Sequence, residues 1–144
     1  MQAVLIVEQD EGLRQTLEMV MQDAGYPTLA TGDPSLARAA MRLAQHPLVV
    51  LIGHGGPANL ARDLLNGANT ARPHAYIVIS THPAAAPYVW NVRTARRVPV
   101  IGAPFDLDVL LAQIKAASVA LERLAAMGAE GSISPYQGAM SSQA

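Results

Sequence analysis

The chain contains no cysteine, which removes disulfide frameworks, thiolate catalysis and cysteine-based zinc sites together. Aromatic residues make up only 4% of a chain that is 51% apolar. The core must therefore come from Val, Leu, Ile, Met and a large pool of alanine, which implies closely packed helices. Net charge is scarce too. Ten basic and eleven acidic residues give a formal charge of −1 at pH 7, so direct nucleic-acid binding through bulk charge is not expected. There is no long hydrophobic run near the start: "AVLIV", residues 3 to 7, is followed at once by Glu8. That is too short for a signal h-region or a membrane span, so a cytoplasmic chain with no membrane contact is expected. Lysine is nearly absent; nine of the ten basic residues are arginine, and the exception is Lys115.

What is present fits one domain, since 144 residues suffice for a single core. Short branched apolar runs at 3–7, 48–52 ("LVVLI") and 75–80 ("AYIVIS") suit strands covered on both faces of a parallel sheet. "VPVIG" at 98–102 carries Pro99 and reads as an edge or starting segment, and "PTLAT" at 27–31 as the other edge. Helical patterns lie between the runs. Leu13, Leu17, Val20, Met21 and Ala24 share one face, with Gly25 closing the helix. Asp33–Pro34 opens a second helix to about Ala44. "ANLARDLLNGA" gives a third, and "PYVWNVRTARR" a fourth that Pro87 can begin. The last starts from Asp106 as N-cap and runs through Leu110, Ile114 and Leu121 to about Met127. The domain is expected to span 1–128, and the small, polar, aperiodic residues 129–144 to form a disordered tail.

Strands alternating with helices predict an open sheet with right-handed crossovers. In such sheets ligands bind beyond the carboxyl ends of the strands. Those loops hold Glu8, Gln9 and Asp10; Gly53, His54, Gly55 and Gly56; Ser80, Thr81 and His82; and Ala103 and Pro104. "HGGP" at 54–57 has the look of an oxyanion loop, but no G-x-S-x-G nucleophile elbow accompanies it, and catalysis is not expected. Asp10 and Asp33 read as helix caps rather than modification sites.

"VLIVEQDEGLRQTLEMVMQDAGY", "LVVLIGHGGP", "AYIVIST" and "VIGAPFDLDVLLAQI", in that order and spacing, resemble the receiver domain of two-component response regulators across roughly residues 1–122. The resemblance implies a flavodoxin-like (CheY-like) α/β fold: an open five-stranded parallel sheet in a three-layer α/β/α arrangement. It also implies a pocket in which an aspartate ending the third strand takes a phosphoryl group. There Mg²⁺ is held by that aspartate and an acidic pair, while a hydroxyl and a lysine hold the phosphoryl oxygens.

Aligning Pro57 with the family's proline puts Gly53 at the phosphoacceptor position, and Ala103 stands where the lysine belongs. The acidic pair becomes Glu8 and Gln9, Ser80 keeps the hydroxyl position, and Val100 replaces the usual aromatic switch. The chain thus resembles a pseudo-receiver with a vestigial pocket of Glu8, Gln9, Asp10, Ser80, Ala103 and Pro104. It should hold Mg²⁺ weakly or not at all, need no cofactor and not be an enzyme. The expected role is a stand-alone, phosphorylation-independent interaction module in signal transduction. Its contacts would be a protein partner or a second copy, through the fourth helix, fifth strand and fifth helix. Tyr88, Trp90, Arg93, Arg96 and Arg97 supply the aromatic-plus-arginine composition of an interface anchor. The alternative is a ligand- or metal-sensing domain using the vacated pocket, with His54 and His82 as candidate ligands. The resemblance also implies a cis Ala103–Pro104 peptide.

Overall fold

The computed structural model describes residues 2–53, 74–80, 88–91, 96–102 and 106–131. The apolar run Ala3–Val7 forms β1 at the heart of the sheet, paired in parallel with β2 (Thr28–Thr31) on one side and β3 (Leu48–Gly53) on the other. β4 (Ala75–Ser80) continues the parallel array beside β3. Next to it lies β6 (Arg96–Gly102), and outside that β5 (Tyr88–Asn91), giving the order β2-β1-β3-β4-β6-β5. Five parallel strands with crossover helices make the flavodoxin-like arrangement expected. β5, antiparallel to β6, is an addition.

That addition corrects two expectations. The fourth helix over "PYVWNVRTARR" does not form: Tyr88–Asn91 and Arg96–Gly102 are both strands. Tyr, Val and Trp in sequence are residues that fit a pleated surface, and a sheet edge next to them satisfies their backbone, which outweighs a weak helical pattern. The second correction is that "VPVIG" is not an edge. Residues 96–99 pair with β5, and 100–102 pair with β4. Pro99, which has no N–H to give, sits where β6 changes partners. The third helix at 58–68, Arg93 and the Ala103–Pro104 bond lie outside the described residues.

The helices begin and end as their sequences dictate. In α1 (Glu11–Asp23) the Asp10 carboxylate accepts the Leu13 N–H at 3.0 Å. At its other end Gly25 adopts φ +93°, its N–H reaches Gln22 C=O and that of Tyr26 reaches Met21 C=O. This Schellman closure needs a left-handed residue, hence glycine. Asp33 caps α2 (Pro34–Leu43) through the Ser35 N–H. Asp106 caps α3 (Leu107–Gly131) through the N–H groups of Asp108 and Val109. α3 therefore runs past the boundary expected near residue 128.

Side-chain alternation splits the core into two layers. Leu5, Val7, Val50, Ile52, Val78 and Val98 pack with Ala37 and Met41 of α2. Val4, Ile6, Val49, Leu51, Ile77 and Ile79 pack on the other side with Leu17 and Met21 of α1 and Leu110, Ile114 and Leu121 of α3. Each such side chain contributes roughly 1.5–3 kcal/mol of burial. At the amino edge His74 ties α2 to the start of β3: its Nδ1 accepts the Leu48 N–H at 2.9 Å, and its Nε2 meets the Met41 carbonyl at 3.1 Å. An accepting Nδ1 in a neutral ring puts the proton on Nε2, so the second contact is a donation.

Candidate functional site

Parallel register brings the carboxyl end of β1 beside that of β3. Val7 pairs with Ile52, so Glu8 follows level with Gly53. Both share the parity of Val49 and Leu51, whose side chains pack on the α1/α3 side. Glu8 is 1% exposed, an unusual degree of burial for a carboxylate. One oxygen, Oε2, accepts the Asp10 N–H at 2.8 Å. The other, Oε1, is buried with no hydrogen-bond partner among the described residues.

The carboxylate lies directly over Gly53. A Cβ built there would stand 2.6 Å from Glu8 Cδ and 3.1 Å from Oε2, and would overlap Oε1 outright. No side chain fits at residue 53 while Glu8 keeps this position. The space above residue 53 at the end of β3 is occupied by a carboxyl group reaching across from β1.

A second glycine completes the seat, and this part was missed in the sequence. The Arg14 guanidinium donates from Nη1 to the Glu8 carbonyl at 2.9 Å. It passes so close to Gly32 that a Cβ there would lie 2.8 Å from Nη1. Glu8 is thus flanked by Gly32, just after β2, and Gly53, ending β3. The available signal was a glycine at the carboxyl end of both strands adjacent to β1, with an arginine one helical turn into α1.

Other expected site residues separate. Gln9 and Asp10 are exposed, and the Asp10 carboxylate is engaged as the α1 cap. Ser80, buried at the end of β4, has the parity of Val78, which packs on the α2 side, the opposite parity to Glu8 and Gly53. His54, His82, Ala103 and Pro104 lie outside the described residues. Among the described residues no cluster of three or more His, Asp or Glu could hold a metal ion, and no helix is long and apolar enough to cross a membrane.

No family model and no curated protein matches the chain. Solved structures do. The chain is similar to the chemotaxis protein CheY4 of Vibrio cholerae, with TM-score 0.65 and 18% identity over 81% of this chain and 98% of that one. It is similar also to a CheY-like response regulator receiver domain from Methanospirillum hungatei (TM-score 0.60, 19% identity, 78% and 90% covered). A third likeness is to the pseudo-receiver domain of the CikA protein (TM-score 0.57, 20% identity, 82% and 98% covered). The fold is the receiver fold. At these identities the likeness establishes architecture alone, and the chemistry has to be read from the residues.

Mg²⁺, which the receiver fold implies, does not fit those residues. A hard dication needs several carboxylate or carbonyl oxygens. Here Gly53 supplies no carboxylate, Gln9 replaces one member of the pair, Asp10 caps a helix and Glu8 has one oxygen already hydrogen-bonded.

Proposed function

We propose that the chain is a pseudo-receiver: a signal-transduction module, not an enzyme, that takes no phosphoryl group and transmits through protein contacts in the cytoplasm. The observation supporting this is the Glu8 carboxylate seated over Gly53. It places a carboxyl group where a receiver keeps its acceptor, yet one closed off from solvent, so an incoming phosphoryl donor has no exposed nucleophile to meet. With β5 in place of the expected helix, the contact surface becomes the β5–β6 hairpin and α3, where Leu124 and Met127 are exposed. The partner is another protein or a second copy.

The alternative, a ligand- or metal-sensing pocket, has one observation in its favour, the buried Oε1 of Glu8, which has no partner among the described residues. An amide-resolved NMR titration with Mg²⁺ and then acetyl phosphate separates the two. Unmoved resonances at Glu8, Gly53 and Ser80 are the expected result. Saturable shifts there would overturn phosphorylation independence and advance the sensing role.

A further inference from the structure

β2 ends the sheet. The Val4 N–H reaches Pro27 C=O and the Glu8 N–H reaches Thr31 C=O, so Pro27, Leu29 and Thr31 turn their backbone groups to β1. Alternation along a parallel ladder then turns the N–H and C=O of Thr28 and Ala30 outwards, to the free edge. Such an edge is a template for another strand, and folds usually blunt it with lysine, proline or a bulge. The four residues Thr28–Thr31 carry none of these and pair with β1 in unbroken register.

On one face this edge is apolar. Leu29 is in register with Leu5, which packs in the α2-side layer, yet Leu29 is 56% exposed. On α2, Leu36 and Leu43 are 60% and 79% exposed; seven residues apart, they lie within about 20° of each other around the helix. α1 and α2 run the same way on opposite faces of the sheet, because each joins two parallel strands. Right-handed helices so placed turn opposite flanks to the same edge. In α1 the flank towards β2 holds Arg14, which reaches Gly32 and stands clockwise of the apolar stripe of Leu13, Leu17, Val20 and Met21, viewed from the N-terminus. In α2 it is the flank anticlockwise of the buried Ala37 and Met41, which holds Leu36 and Leu43. Arg38 and Arg42 fall on the other flank. Leu29, Leu36 and Leu43 thus border the β2 edge together, with no charge among them.

We infer that the chain forms a two-fold dimer in which β2 pairs antiparallel with β2 of a second copy. The two outward residues set the register: with Leu29 on the axis, Thr28 of each copy faces Ala30 of the other, and each such pair exchanges two backbone hydrogen bonds. Leu29 then meets its own copy as a close, non-hydrogen-bonded pair. The two α2 helices lie antiparallel on one face of the joined sheet, with Leu36 of one towards Leu43 of the other. A second copy is the better occupant than a foreign segment because the edge is self-complementary about Leu29, as a two-fold contact requires. The arginines of α2 point away from the seam, so pairing like with like sets no like charges together on that face. The charged side chains of the α1 flank are Arg14 and Glu18, and Arg14 is already bonded to the Glu8 carbonyl. The pairing leaves β5, β6 and α3 free for other partners and does not depend on how the Glu8 pocket is read.

The test uses the full chain in sedimentation equilibrium over a protein concentration series, with Leu29→Lys, Leu36→Lys and Met19→Lys, each checked for unchanged folding by circular dichroism. Met19, 62% exposed on the outer face of α1, is an apolar control away from the edge. A monomer–dimer equilibrium with a micromolar dissociation constant is expected, as suits a small interface. Leu29→Lys should weaken it about tenfold or more by setting two lysines together on the axis, Leu36→Lys less, and Met19→Lys under about twofold. Because the chain has no cysteine, Leu29→Cys adds a single thiol, and a non-hydrogen-bonded antiparallel pair brings the Cα atoms within disulfide reach. Oxidised Leu29→Cys should run as a covalent dimer and Met19→Cys as a monomer. Amide exchange at Thr28 and Ala30 should slow as protein concentration rises. A monomer at every concentration overturns the dimer. A dimer indifferent to Leu29→Lys, or cross-linking no faster at residue 29 than at residue 19, overturns the β2 contact.

Discussion

The two ends of the sheet handle polar groups drawn in from solvent in opposite ways. At the amino edge His74 uses both ring nitrogens, one on the Leu48 N–H and one on the Met41 carbonyl. At the carboxyl edge Glu8 is more deeply enclosed than the half-buried His74, yet among the described residues only one of its oxygens is bonded. A satisfied buried group fixes structure; an unsatisfied one costs about 1–3 kcal/mol and has to be retained by its surroundings. Here the retention is geometric. Gly53 and Gly32 give up side chains so that the Glu8 carboxylate and the Arg14 guanidinium can lie against bare backbone. The amino edge holds the fold together. The carboxyl edge keeps a buried carboxyl group over a residue with no side chain.

The comparison breaks most sharply at Gly53. Gly53→Ala forces a methyl group into the Glu8 carboxylate, and overpacking of this kind costs roughly 1–3 kcal/mol. Gly53→Asp should cost more, because it adds a second carboxylate at the same point. Urea denaturation should show both losses. Glu8→Ala in the same chain opens the space, so Gly53→Ala should then cost at least about 1 kcal/mol less, a coupling that a double-mutant cycle isolates. Additive losses would mean that the Glu8 carboxyl group does not lie over residue 53 in solution.

His74→Ala probes the other end and should be somewhat milder, about 2 kcal/mol, from leaving the Leu48 N–H and the Met41 carbonyl without this partner. His74→Gln presents an acceptor and a donor in one side chain and should recover part of the loss. If alanine and glutamine destabilise equally in thermal melts, the bridge contributes shape rather than hydrogen bonds.

Most of the fold was legible because parallel strands and their helices carry local signals: uninterrupted branched runs for β1, β3 and β4, and Asp10, Asp33 and Asp106 as caps in all three described helices. The fold failed to be legible where pairing overrides local pattern. Tyr88–Asn91 is a strand because β6 lies beside it, and nothing within "YVWN" announces that neighbour. The site was half legible. That residue 53 brings no side chain could be read directly, but that the Glu8 carboxyl group lies over it depends on register and depth, which a linear sequence does not display. Gly32, the other glycine flanking Glu8, carries no local signal of that role, which follows only from β2 lying beside β1.

The smallest effect concerns Tyr76, level with Val50 near the amino edge and packed against the α2-side layer. Burial pushes its hydroxyl from the ordinary 10.0 up to about 12, because the phenolate is poorly solvated there. Folded protein therefore holds a proton that unfolded chain has lost between those values. Linkage then gives full stability below pH 10 and a decline as pH rises towards 12. For a partly exposed group the decline is on the order of 1 kcal/mol. Tyr76→Phe, which has no proton to lose, should flatten that part of the alkaline stability curve. The tyrosinate absorbance of the wild type should contain a component titrating near 12 that Tyr76→Phe removes. A Phe variant that loses stability in parallel with wild type would show that the amino edge, despite its satisfied bonds, is wetter than its packing indicates.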